Sequence, residues 1–160
     1  WLEKRYPRQD RRAYPAAAKL CRVPLAAGEN HYMRYEFQTL LEDGQVQFVQ
    51  PDLSKTGGIT ESMRIAAMAS AQKLTVNPHT SATAINMATS IHFLCAVDNP
   101  GYFEGDVTAL NPFRDHLADR APYQLDDKGC VRPLEGVGIG LKVDEKFIAA
   151  HPLIEGPCYV

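Results

Sequence analysis

The sequence predicts an α/β fold built on a parallel sheet, and three observations carry that prediction. Short apolar runs of about five residues recur along the chain. Between them lie longer stretches, of roughly 10 to 15 residues, with helical periodicity, the pattern of successive βα units. Most runs stop at a glycine or proline, with an ionisable residue at or just beyond the stop. The 160 residues suffice for one domain with a real core, and 45% hydrophobic with 22% charged residues is ordinary for a soluble globular protein.

The first run is Trp1-Leu2-Glu3, where a strand is already ending. There is no initiating methionine, so the chain is expected to be processed or part of a longer protein. Val23 to Gly28 is the next strand. Arg34 to Asp43 follows with helical spacing at Tyr35, Phe37, Leu40 and Leu41, stopped by Gly44. Val46 to Gln50 reads as a strand ending at Pro51-Asp52. Ile59 to Ala71 reads as a helix, with Thr60 as N-cap and an apolar stripe through Met63, Ala66, Ala67 and Ser70. Leu74 to Val76 is a short strand, Ala82 to Val97 a nearly all-apolar and therefore sandwiched helix, and Gly101 to Glu104 the last strand. Five strands are too few to close an eight-stranded barrel. Residues 111–140 read as loops plus a hairpin, and Asp144 to His151 as a short terminal helix. The chain thus divides into a partial barrel, 1–110, and a C-terminal segment, 111–160, that packs on the barrel or on a capping domain.

A formal net charge of −2 predicts no attraction to nucleic acid or acidic membrane surfaces. No apolar run approaches the ~20 residues of a membrane helix. Cys21, Cys95, Cys130 and Cys158 are widely spaced, without a CxxC pair, and read as free thiols of a reducing compartment.

Every predicted strand ends near an ionisable residue: Glu3, Glu29, Asp52, His79 and Glu104. In a parallel barrel the C-terminal strand ends share one face, and active sites are built there. Glu3 and Glu29, as hard oxygen donors on neighbouring strands, suit Mg²⁺. Taken singly, a strand-end glutamate is more often a solvated or capping carboxylate. Asp52 and His79 fall on the next two strands, and a carboxylate beside an imidazole fixes its tautomer and raises its basicity. Glu104 is placed to donate a proton to a carboxylate oxygen opposite a metal. Asn30 and His31 directly follow Glu29 and are candidates for substrate contact, as is Lys55. The pair Gly57-Gly58 opens a helix whose N-terminus can hold an anion, though such a pair is more often just a tight turn.

Trp1-Leu2-Glu3, Ala27-Gly28-Glu29-Asn30, Gln50 to Thr60 and Pro78-His79, in this order and spacing, resemble the enolase superfamily in its mandelate racemase subgroup. The resemblance runs from Trp1 to about Gly140. It implies the C-terminal part of a (β/α)7β-type TIM barrel, about strands 4 to 8, with Val137 to Gly140 in a tail that returns to the barrel. It implies that Glu3 and Glu29 bind Mg²⁺, that His79 with Asp52 is the acid/base dyad, and that Glu104 hydrogen-bonds a substrate carboxylate. The implied reaction removes the proton α to a carboxylate, forms an enediolate and eliminates water, an acid-sugar dehydratase. Racemisation or epimerisation of a 2-hydroxy acid is the alternative. A chain that binds acids or partners without turnover is the rival from another class. The resemblance further implies a cytoplasmic homo-oligomer, from dimer to octamer. The chain departs from the family pattern in lacking a third metal carboxylate, the second-strand lysines and the capping domain. Lys4 replaces a glutamate found in many relatives.

Overall fold

The computed structural model describes residues 1–3, 12–42, 45–80 and 83–156. Lys4, Asp43, Gly44, Ala82 and Cys158 lie outside these described residues. Four strands form one sheet in sequence order: β1 (Leu2–Glu3), β2 (Leu25–Ala27), β3 (Phe48–Val49) and β4 (Thr75–Val76). All neighbours run parallel, in the register Leu2 with Leu25, Ala26 with Phe48 and Phe48 with Thr75. Parallel neighbours need crossovers, and helices supply them: α1 (Ala13–Leu20), α2 (Met33–Glu42) and α3 (Ile59–Ala71). A fourth helix, α4 (Ala84–Ala96), follows β4.

Side chains alternate across each strand, and the alternation separates core from site. Leu25, Ala27, Val49 and Val76 pack into one cluster with Phe37, Leu41, Ile65, Ala69 and Phe93 of the helices. Trp1 and Phe48 meet on the opposite side of the sheet, ring centroids 5.0 Å apart and planes tilted by 47°, and Tyr102 lies 6.0 Å from Trp1.

Four expectations need correction. The fifth strand shrinks to one parallel bridge, Val76 with Pro100, continued by a hydrogen bond from Gly101 N to Val76 O of 2.8 Å. The ladder stops because the Asn77 side chain takes the next backbone donor: its Oδ1 accepts from Tyr102 N at 3.1 Å. A side chain at Gly101 would overlap that same oxygen. Thr60 is not the N-cap of α3. Gly57 and Gly58, at φ +109° and +90°, let the chain turn into the helix earlier, and Gly58 occupies the cap without a side-chain bond. The buried face of α3 is Ser62, Ile65, Ala66 and Ala69, so Ala67 is exposed.

The expected hairpin is the fourth. Residues 111–140 instead contain a short helix, α5 (Pro112–Asp115), and their antiparallel bridge pairs Ala118 with Val143. The terminal helix is α6 (Glu145–Ala150), capped by Asp144, which accepts from Lys146 N and Phe147 N. Around α5, Asp106 organises its own turn. It accepts from Thr108 N at 2.9 Å and from Thr108 Oγ1 on Oδ1, and from Asn111 Nδ2 at 2.6 Å on Oδ2. Arg114 donates to the carbonyls of Asp106 (3.0 Å) and Thr108 (2.8 Å). Cys21, Cys95 and Cys130 carry free thiols. No helix among the described residues is long and apolar enough to cross a membrane.

Candidate active site

The strand ends do converge. Glu29 follows β2 across Gly28, whose φ of +146° and close approach to Gln50 leave no room for a side chain: a Cβ there would stand 2.7 Å from Gln50 O. Asp52 and His79 lie beyond the ends of β3 and β4. His79 stands between carboxylates, with Nδ1 2.8 Å from Asp52 Oδ2 and Nε2 3.4 Å from Glu29 Oε2.

Asp52 is the fixed point. It is 1% exposed, so its charge needs partners. Oδ1 accepts from Ser54 N (2.9 Å), Ser54 Oγ (2.5 Å) and Asn86 Nδ2 (3.1 Å). Oδ2 is left to His79, with the Lys55 ammonium 3.7 Å away. Burial alone would raise the Asp52 pKa, but the hydrogen bonds from His79 and Ser54 outweigh it and hold the group below the usual carboxylate value. An ionised carboxylate can only accept. His79 therefore carries its proton on Nδ1 and presents Nε2 as the basic nitrogen.

Burial would lower the pKa of His79, but the Asp52 hydrogen bond and the charges of Glu29, Glu104 and Asp52 raise it overall. Glu104 moves the other way from Asp52. Burial pushes its pKa up, the charge of His79 and the amide of Thr80 oppose that, and the charges of Glu3 and Glu29 add to the rise. Thr80 ties this glutamate to the histidine loop, donating N–H to Glu104 Oε2 at 3.2 Å and its hydroxyl to the Glu104 carbonyl. Lys55 Nζ donates to Asn30 Oδ1 at 3.3 Å, and Asn30 Nδ2 to Glu29 Oε1 at 3.2 Å, so these two residues join the cluster. Glu3, at the end of β1, accepts from the indole of Trp1 at 3.0 Å.

His31 is not brought to the cluster. Its N–H bonds Gly28 O at 2.9 Å, and its buried ring meets Phe37 of the core with centroids 5.6 Å apart. The turn after Glu29 directs its ring toward α2. Three residues at the site escaped the sequence reading: Ser54, Thr80 and Asn86. Ser54 had a visible signal, since a hydroxyl two residues after an aspartate closes an Asx-type turn. Asn86 had a weaker one, a polar side chain in the apolar stretch of α4, where a buried amide needs a partner.

Among the described residues, no group of three or more His, Cys, Asp or Glu is set to hold a metal ion. Two carboxylates, Glu3 and Glu29, face the site from adjacent strands. Their charge presses on Glu104, a local negative field that a hard cation relieves. Mg²⁺ takes one or two protein carboxylates and fills its other positions with water or substrate oxygens, so the donor set fits it.

Residues 1–147 match the model of a family described as enolase C-terminal domain-like. A D-galactonate dehydratase of Variovorax paradoxus is 34% identical over 139 residues, 84% of this chain and 36% of that protein. A D-galactonate dehydratase of Cronobacter sakazakii is 32% identical over 143 residues, 86% of this chain and 37% of that protein. The chain therefore spans little more than a third of these relatives' length. Among solved structures, a member of the enolase superfamily from Polaromonas sp. JS666 superposes with a TM-score of 0.91 at 49% identity, covering 100% of this chain and 42% of that one. A mandelate racemase/muconate lactonizing enzyme from Sulfitobacter sp. superposes at 0.83 with 30% identity, covering 100% and 41%.

Proposed function

The chain belongs to the enolase C-terminal domain-like family, and we propose that it supplies the acid/base half of a Mg²⁺-dependent acid-sugar dehydratase. The observation that carries this reading is His79 itself. Its Nδ1 is anchored 2.8 Å from a fully buried aspartate, while Nε2 faces the carboxylate cluster. The dehydratase names of the two curated relatives favour elimination.

In this proposal His79 Nε2 takes the proton from the carbon α to the substrate carboxylate. Asp52 holds the ring and stabilises the imidazolium that results. Glu104, whose raised pKa favours the protonated form, donates a hydrogen bond to the carboxylate oxygen on which negative charge grows. Glu3 and Glu29 would hold Mg²⁺, which when bound would supply further positive charge to stabilise the enediolate. The Cα–Cβ double bond forms as the β C–O bond breaks, and the departing hydroxide takes the proton back from His79 as water. Lys55 and Asn30, tied to each other and to Glu29, line the approach to the same nitrogen.

The same dyad returning its proton to Cα gives racemisation or epimerisation, a reading favoured by the racemase-named structural neighbour. Cytoplasmic location and a homo-oligomer belong to the same proposal. The test is to assay the intact protein with Mg²⁺ against a panel of sugar acids that includes galactonate, in deuterated water. Formation of a 2-keto-3-deoxy acid that disappears in His79→Asn supports dehydration. Deuterium at Cα with epimer and no keto acid supports the racemase. Binding of acids without turnover or exchange overturns both and leaves the binding-only reading.

A further inference from the structure

We infer that Asn86, on the helix behind the site, is a positioning residue that orients Asp52 and thereby sets the tautomer of His79. The inference rests on the His79–Asp52 dyad proposed above and adds a residue that does not face the substrate.

The two oxygens of Asp52 have different partners. A carboxylate can rotate about its Cβ–Cγ bond and present either oxygen, or neither in line, to an imidazole. Here Oδ1 is engaged by three donors and Oδ2 by His79. Two of the three come from Ser54, two residues away on the same loop, and move with Asp52 if the loop moves. The third is Asn86 Nδ2, 34 positions away in sequence, and among the described residues it is the donor that anchors Oδ1 to another element. Asn86 is well placed for this. It is 5% exposed and lies in the first turn of α4. Its backbone N–H is held at 3.1 Å by Oγ1 of Thr83, the N-cap. α4 begins just after the loop that carries His79 and Thr80. A helix terminus fixed by its own cap thus supports the aspartate to which the preceding loop's histidine binds.

Geometry also assigns the direction of the effect. With Oδ1 saturated, Oδ2 stays in line with Nδ1–H, and the Nδ1–H tautomer leaves Nε2 bare. Without the Asn86 donor the carboxylate gains torsional freedom, and the Nε2–H tautomer, which has no proton-accepting lone pair on Nε2, gains population.

The test is ¹⁵N NMR of the His79 ring in the intact protein, together with steady-state kinetics. Asn86→Ala removes the donor, and Asn86→Leu removes it while keeping the volume filled, so a folding defect peculiar to the cavity is recognised. Both variants are expected to shift the Nδ1 and Nε2 resonances toward the Nε2–H tautomer. Both should lower kcat about tenfold, the lower end of what losing a supporting hydrogen bond costs an ordered site, with KM little changed. In an Asp52→Asn background the Asn86 substitution should add nothing to either readout. Unchanged ring resonances in a folded variant overturn the inference, as does an equal loss of kcat with and without Asp52. The ring resonances need no substrate. If the parent turns over no acid yet the variants shift the tautomer, the positioning role stands and the proposed activity falls.

Discussion

Asp52 and Asp106 are each followed, two residues on, by a hydroxyl residue that closes the same small turn. Ser54 donates N–H and Oγ–H to Oδ1 of Asp52, and Thr108 donates both groups to Oδ1 of Asp106. Each carboxylate has a basic side chain near its second oxygen, Lys55 at 3.7 Å and Arg114 at 3.6 Å. Both are held below the usual carboxylate pKa, with burial opposing and hydrogen bonds prevailing. The difference lies in reach. Among the described residues, the partners of the Asp106 carboxylate fall within eight residues of it, whereas the Asp52 carboxylate meets His79 and Asn86 from two other segments, 27 and 34 positions away. The same local motif folds a loop in one place and, in the other, orders the imidazole that we propose for proton transfer. The turn itself therefore carries no functional information; what the second oxygen sees does.

Substitutions should separate the two. Asp52→Asn is expected to lower kcat roughly 10²–10⁴-fold, the usual contribution of a general base, because the amide no longer fixes the tautomer. Asp106→Asn should leave kcat near the parent value. Equal losses in the two would erase the distinction. Stability reverses the emphasis. Asp106→Ala removes three charge-assisted hydrogen bonds, and should lower unfolding free energy by about 1–3 kcal/mol in urea titration.

Acid sharpens the comparison further. A carboxylate whose folded pKa is depressed adds stability above its unfolded value, near 3.8 for both aspartates, and loses it as pH falls through the lower folded value. Melting temperatures measured from neutral to strongly acid pH should therefore fall less steeply at the acid end in either Asp→Asn variant. His79 has the opposite sign. Its raised folded pKa adds stability below about 6.5 that is lost as pH rises through the higher folded value. Asp52→Asn should weaken this second dependence as well, and Asp106→Asn should leave it intact. The smallest effects come from the hydroxyls. Ser54→Ala and Thr108→Ala should each cost about 1 kcal/mol of stability, and only the former should lower kcat.

Much of the fold was legible because its signals are local. Hydrophobic runs and periodic stretches located β2, β3, β4, α2, α3 and α4, and the residues that close each run located the cluster. What was not legible depends on partners. α1 is the clearest case. Pro15 disguises an alanine-rich helix that proline tolerates in a first turn, so the helix itself went unread even though the parallel strands on either side of it require a crossover. The fifth strand failed because a side chain, Asn77, intercepts the backbone donor that a ladder would use. The turn after Gly28 sends Glu29 toward the site and the ring of His31 toward Phe37, a divergence that adjacency in sequence does not show. Asn86 was out of sight for the reason that makes it interesting: its partner lies 34 residues away.

One contact at the edge of the site has a use of another kind. Trp1 is the only tryptophan in the chain. Its indole N–H bonds the carboxylate of Glu3 at 3.0 Å, and its ring packs at a tilt against Phe48. Indole emission responds to a neighbouring charge, so the chain carries an optical reporter wired to one of its two candidate cation ligands. A titration of fluorescence against Mg²⁺, repeated in Glu3→Gln, would read occupancy of that carboxylate without any substrate. A signal that ignores the cation would mean that Glu3 keeps its indole partner and never turns to a metal.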